Sequence, residues 1–494
     1  MFCQFRFQIK FVLPFFVAVL FQLVFLSVVS AQIALVTGWE VDESLAGRKA
    51  AIFTAFKSGS VDADRAGLDA FFDKYYFARW TRPENTGLVQ QTFVKEFLTQ
   101  DLRDSTGNAR EYLLAKSFDT LKKIAADQNA SAPSRYNAIL TIGQLAQREP
   151  AGRGTPPTPY AQALPYLLGE YQKKENPKFI QLGALIGIVR FAEIGIADET
   201  TKNNTVPELF IATIQSGQAK QDGNKEEQEM TDWFRSYALD GLGALKSVGA
   251  NGRVVKVLSE VIENNLETIE FRTHAAKILG DLNFAEAGTA LNQQQYQQIG
   301  TQLIALMKTT ADDQFKMVDK LYNKARISKD GVPQDFADVS SIPTNTVLEP
   351  EFALLTPDQQ IEVTGAVQSV KSNILNVMNG MRGTRLTGTA NAGILPMFPS
   401  DDPVAAKINA TVKLIAPLFK VLDEGPPEDL TKQRSLNQFG SELSSEMSSG
   451  GTRAKPKDDK PQLKVNFSAI RDALQKMSDE LGAIISGSGS SAGK

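Results

Sequence analysis

The sequence predicts an all-α protein, made of antiparallel helical hairpins in series with an additional C-terminal helical segment. Two observations carry that class. Apolar residues recur at i, i+3, i+4 and i+7 along most of the chain, while strict apolar–polar alternation is scarce. A short pattern centred on Ala and Gly also returns three times without gaps. At about 100–200 residues per domain, 494 residues leave room for two to four domains and a large buried core.

The first element is an address. Arg6 and Lys10 precede Phe11–Val29, which is apolar apart from Pro14, Gln22 and Ser27. Val29-Ser30-Ala31 then offers the small residues that a signal peptidase reads, with cleavage expected between Ala31 and Gln32. The rival is an uncleaved anchor, because a run of nineteen residues is just long enough to span a bilayer. The small-residue site and Pro14 favour cleavage of residues 1–31. In both readings the protein is exported and periplasmic or extracellular, touching a membrane only through this segment. Cleavage removes Arg6, Lys10 and the lone Cys3, leaving a cysteine-free chain of net charge −5.

Residues 44–105 read as an N-terminal helical cap, dense in Phe71, Phe72, Tyr75, Tyr76, Phe77 and Trp80. Interleaved Lys74, Arg79 and Arg82 could stack on nucleic-acid bases, but without a basic excess an aromatic core is the better reading. Asp62, Asp64, Gly67 and Asp73 fall at positions 1, 3, 6 and 12 of a calcium-binding EF-hand loop. Ala66 replaces an oxygen ligand there and Asp69 replaces the apolar anchor. Acids at a helix N-terminus account for the pattern better.

Residues 106–327 hold the repeats. Arg135, Ala138, Gly143 and Leu145 align with Arg235, Ala238, Gly243 and Leu245, and with Arg272, Ala275, Gly280 and Leu282. A degenerate copy begins at Gln181, with Val189 where Gly should stand. Ala and Gly let a neighbouring helix approach closely, and a Gly inside a helix costs up to about 1 kcal/mol, so three at one register need a packing reason. Arg110–Asp127, Tyr160–Lys173, Val206–Gln215 and Arg253–Asn265 are the expected first helices of each hairpin. A final pair, Gln293–Lys308 and Asp312–Lys324, lacks the motif and is expected to cap the series.

This arrangement of Arg, Ala, Leu-Gly and Leu resembles the second helix of the HEAT-repeat family, over roughly residues 109 to 326. The resemblance implies an α-solenoid that binds other macromolecules along an extended face. The repeated Arg residues could line that face, but salt links between repeats are the plainer expectation.

Residues 328–358 read as a linker and 359–424 as C-terminal helices, with Val363, Val367, Val370, Ile374, Val377 and Met381 forming one apolar seam. Residues 425–464 read as a disordered linker, 465–486 as a last helix and 487–494 as a tail. The last helix carries Phe467, Ile470, Leu474, Met477, Leu481 and Ile484. Two outcomes stay open for these segments: a bundle within one chain, or self-association and docking on a partner.

The missing chemistry narrows the function. One His, one Cys and a net charge of −3 leave no zinc ligand set, no disulfide framework and no nucleic-acid footprint. His274 lies inside the third repeat, away from any nucleophile motif, and phosphate-binding Gly loops are absent. No catalytic residue, metal ligand or cofactor is assigned. The expected function is a non-enzymatic exported scaffold that binds a protein or a cell-envelope polymer. The alternative is an exported all-helical carbohydrate-active enzyme using an acidic pair, for which Asp312-Asp313 is better read as helix N-terminal charge.

Overall fold

A computed structural model describes residues 39–61, 64–150, 152, 155–216, 225–288, 290–324, 357–383, 393–422 and 467–487. The leader with its Ala31–Gln32 site, the linker before residue 357 and the segment 425–464 lie outside the described residues. The described chain is all-α, with a single two-stranded ribbon, and divides into units 1–206 and 207–494.

The first unit opens on an aromatic core. Helices α1 (Lys49–Lys57) and α2 (Arg65–Phe71) are followed by short turns in which the helix widens, Phe72–Tyr76, Val89–Val94 and Phe97–Asp101. The helical cap expected from the sequence is built of α, 3-10 and π pieces. Phe53, Phe72, Tyr76, Phe77, Trp80 and Phe97 meet mostly edge to face, with ring centroids 5.0–6.3 Å apart. Rings in tilted or edge-on contact match each other's quadrupoles, so this is a packed core and not a row of stacking platforms.

Two hairpins complete this unit: α3 (Gly107–Ala126) with α4 (Ala132–Gln144), and α5 (Ala163–Gln172) with α6 (Lys178–Ile194). Ser131 caps α4 by accepting from the Ser134 amide, with Pro133 in the first turn where a missing N–H costs nothing. The Pro-rich insert after α4 forms the ribbon, β1 (Ala146–Arg148) antiparallel to β2 (Thr158–Pro159), which an all-α expectation did not include. Arg110 secures it by donating to the carbonyls of Ala146 and Gln147 and pairing with Glu149.

The second unit carries α7 (Val206–Ser216) with α8 (Lys225–Leu245), then α9 (Arg253–Glu263) with α10 (Ile269–Asp281). Beyond them α11 runs unbroken from Gln293 to Lys324, correcting the expected pair of capping helices. Nothing between them breaks a helix. The Thr309 and Thr310 hydroxyls donate to carbonyls four residues back, and Lys308 pairs with Asp312 at 2.7 Å across the supposed joint. Asp312 thus sits in mid-helix and is no N-terminal charge.

The C-terminal segments pack on their own chain. Helix α12 (Pro357–Arg382) lies on α10 and α11, and α13 (Pro403–Lys413) and α14 (Ile415–Leu422) follow it. Helix α15 (Phe467–Ser486) lies on α11, burying Ile470, Leu474, Met477 and Leu481. Val370, Ile374, Val377 and Met381 are likewise buried. Of the two outcomes left open, packing within the chain is the one seen: these helices touch one another, and α12 and α15 also lie on α10 and α11.

The motif Ala residues, Ala138, Ala238 and Ala275, are fully buried. Each motif Gly marks a close approach. A Cβ on Gly143 would stand 2.7 Å from the Gly187 Cα of α6, one on Gly243 2.8 Å from Ile278, and one on Gly280 2.0 Å from the Asn379 carbonyl oxygen of α12. Gly280→Ala therefore drives a methyl into backbone that cannot yield cheaply, and is expected to cost about 1–3 kcal/mol. Gly169→Ala, in α5 with open space around it, is expected to gain about 0.5–1 kcal/mol. Urea unfolding of both variants checks this, and equal effects would mean the Gly280 contact carries no packing constraint.

Candidate functional site

The sequence-derived motif positions Arg135, Arg235 and Arg272 share one geometry. Each Nε donates to a carbonyl in the last turn of the preceding helix: Arg135 to Ala125 at 3.0 Å, Arg235 to Ile214 at 2.9 Å, Arg272 to Ile262 at 2.9 Å. Those carbonyls have no partner within their own helix, and a cation there also opposes the negative end of the helix dipole. Gln181, which looked degenerate, does the same with its amide, donating to the Lys173 carbonyl at 2.8 Å. The sequence signal for this was the position, not the residue type.

The expected salt links between repeats occur at Arg235, whose guanidinium grips Glu267 with two hydrogen bonds and lies 4.2 Å over the Phe271 ring. Arg235 is 1% exposed and fully enclosed. Arg135 instead rests on the Phe179 ring at 5.5 Å. Arg235 and Arg272 are buried, and Arg135 is half-buried against the Phe179 ring.

The acidic loop of the first unit is also engaged. Asp62 lies outside the described residues, and Asp64 accepts from the Gly67 amide as the N-cap of α2. Asp73 accepts from Lys116 at 2.7 Å and from Thr120, while Tyr112 donates to Asp69 at 2.8 Å. Burial raises the Asp69 carboxyl, but the bonds from Tyr112 and Lys116 hold it below its usual range. The spacing thus reflects docking of α2 on α3. Among the described residues no three His, Cys, Asp or Glu side chains gather as a metal cluster.

A buried acid that sequence reasoning did not single out lies under the aromatic core. Asp101 ends one widened turn and accepts from the Tyr76 hydroxyl, which ends another. Burial pushes its carboxyl up to about 6, against the Tyr76 bond and the nearby Lys49 charge, which lower it. No spacing signal marks such a pair, because the two residues meet only through tertiary packing.

Open clefts occur in both units. One, of about 500 Å³, lies beside Arg65, Asn108, Glu111 and Tyr112, with the Arg65 guanidinium stacked on the Tyr112 ring at 4.5 Å. The other, of about 420 Å³, runs between α8 and the start of α10, lined by Asp232, Ser236, Leu266, Glu270, Phe271 and His274. His274 Nε2 is 3.2 Å from Asp240 Oδ1, four residues beyond Ser236 on α8. Ser236 stands in the same lining, one turn before Asp240 on α8. Sequence reading placed His274 in a repeat but did not see that the α8 stripe Gln228, Asp232 and Ser236 faces it.

Two outcomes are expected. Arg235→Ala strands the buried Glu267 carboxylate and the Ile214 carbonyl, costing about 3–5 kcal/mol in denaturant unfolding, with partial recovery on adding Glu267→Gln. For Asp101, the folded state keeps its proton to about pH 6 and the unfolded state releases it near 3.8. Its favourable contribution is complete below that lower value and lost as pH rises through 6, on the order of 3 kcal/mol. Asp101→Asn should flatten the stability profile between pH 4 and 6.5 and raise stability at pH 7. An unchanged slope would show that Asp101 titrates as an exposed acid.

Compared with protein-family models, curated proteins and solved structures, the chain finds no match.

Proposed function

We propose that the chain is an exported, non-catalytic scaffold: a HEAT-like α-solenoid whose second-helix surfaces bind a protein or a cell-envelope polymer. The observation that carries this reading is the side-chain-to-carbonyl bond of Arg135, Gln181, Arg235 and Arg272, made at the same point of four hairpins. A repeated structural bond at a repeated sequence position is what a stack of equivalent units requires, and such stacks present a continuous row of outer faces. The motif Arg residues hold helix ends, which fits a structural role for the repeated position. Export rests on the N-terminal residues alone. Among the described residues no helix is long and apolar enough to cross a membrane.

The reading is tested by lysine-directed cross-linking mass spectrometry on intact cells, with N-terminal sequencing of the recovered chain. A start at Gln32 in the exported fraction, with reproducible cross-links from α4, α6, α8 or α10 to one partner, is the expected result. Recovery only in the cytoplasm with the leader intact, or cross-links confined to this chain, would overturn it.

A further inference from the structure

The α8–α10 groove combines three features that occur together in one place. Its lining holds the carboxylates Asp232, Glu267 and Glu270 and no Lys or Arg. Arg235, enclosed behind it, answers Glu267 with two hydrogen bonds and lies 3.8 Å from Asp232, so the rim keeps an acidic excess at Asp232 and exposed Glu270. Leu266 stands at the mouth with 73% of its surface in water, the most exposed large apolar side chain among the described residues. Its amide donates to the Asn264 side chain, so the turn presents Leu266 outward in a fixed direction.

We propose that this groove is a docking site for a basic polypeptide segment of a partner, one that carries Lys or Arg next to an apolar residue. The cation sits between Asp232 and Glu270, because the single Arg235 guanidinium is shared by Glu267 and Asp232 and leaves three carboxylates in net acidic excess, and the apolar neighbour covers Leu266 and the edge of the Phe271 ring. Gln228 and Ser236, on the same stripe of α8 as Asp232, supply polar contacts along the wall. Charge complementarity selects this occupant. An acidic polymer would be repelled, and a purely apolar segment would desolvate the acidic rim without adding a counter-charge. The inference rests on the binding role proposed above and names the partner's chemistry at one groove.

The test uses the purified protein and two labelled peptides, one of lysine and leucine and one of glutamate and leucine, read by fluorescence anisotropy. The variant Leu266→Ser/Glu270→Lys removes the exposed apolar side chain and reverses the Glu270 charge without touching Arg235. Asp119→Lys/Glu199→Lys changes exposed charge elsewhere by a larger amount. Circular dichroism melting confirms that both variants fold. The lysine peptide should bind, weaken about tenfold in the groove variant and hardly change in the control, while the glutamate peptide stays unbound. Equal weakening in both variants, or none in either, overturns the groove assignment. The cellular cross-links separate the two ideas: a partner still captured by the groove variant removes this site and leaves the scaffold reading standing.

Discussion

The structure depends on one bond, a side-chain N–H given to a carbonyl at the end of the preceding helix. A helix leaves its last carbonyls without internal partners, and burying them bare is costly. Arg135, Gln181, Arg235 and Arg272 settle that problem within each hairpin, because the same donor that satisfies the first helix is anchored in the second. The bond therefore fixes the turn geometry of a hairpin as well as its end. Arg235 does more, since its remaining donors reach Glu267 in the turn of the next hairpin. One guanidinium joins two units of structure, which an ammonium with a single point of charge could not do.

The small residues of the motif act at the other contact. Fully buried Ala138, Ala238 and Ala275 and the Gly residues after them let second helices approach until backbone meets backbone or a branched side chain. Gly280 extends this beyond the last repeat, accepting α12 against its bare Cα, and the Thr273 hydroxyl fastens the same pair by donating to Asn373 at 2.9 Å.

Much of this was legible in the sequence, for physical reasons. Helices α3, α5, α7 and α9 begin and end within a few residues of their expected bounds, because amphipathic period and Asn- or Pro-containing turns are local signals. The all-α class followed from the same period. Local reading failed where tertiary contact decides. Helix α11 runs through Lys308–Asp312 because α12, α13 and α15 cover its length, and the aromatic cap widens into π turns to seat its rings. The Asp62–Asp73 spacing suggested a cation loop because acids are counted by position, whereas Lys116 and Tyr112 that engage them come from a helix about 40 residues on. The α8–α10 groove was invisible for a related reason: its two walls belong to different hairpins.

The central claim is that the motif position needs a hydrogen-bond donor aimed at a carbonyl, with charge secondary. Gln181 already makes the point within the chain, being neutral and yet bonded to Lys173. The most direct measurement is urea unfolding of Arg272→Gln beside Arg272→Met, two side chains of similar reach of which only the first can donate. The account predicts that the Gln variant keeps most of its stability and that the Met variant loses about 1–3 kcal/mol more, the cost of an unsatisfied buried carbonyl. Equal losses in the two would contradict it and leave packing or charge as the reason for the repeated arginine.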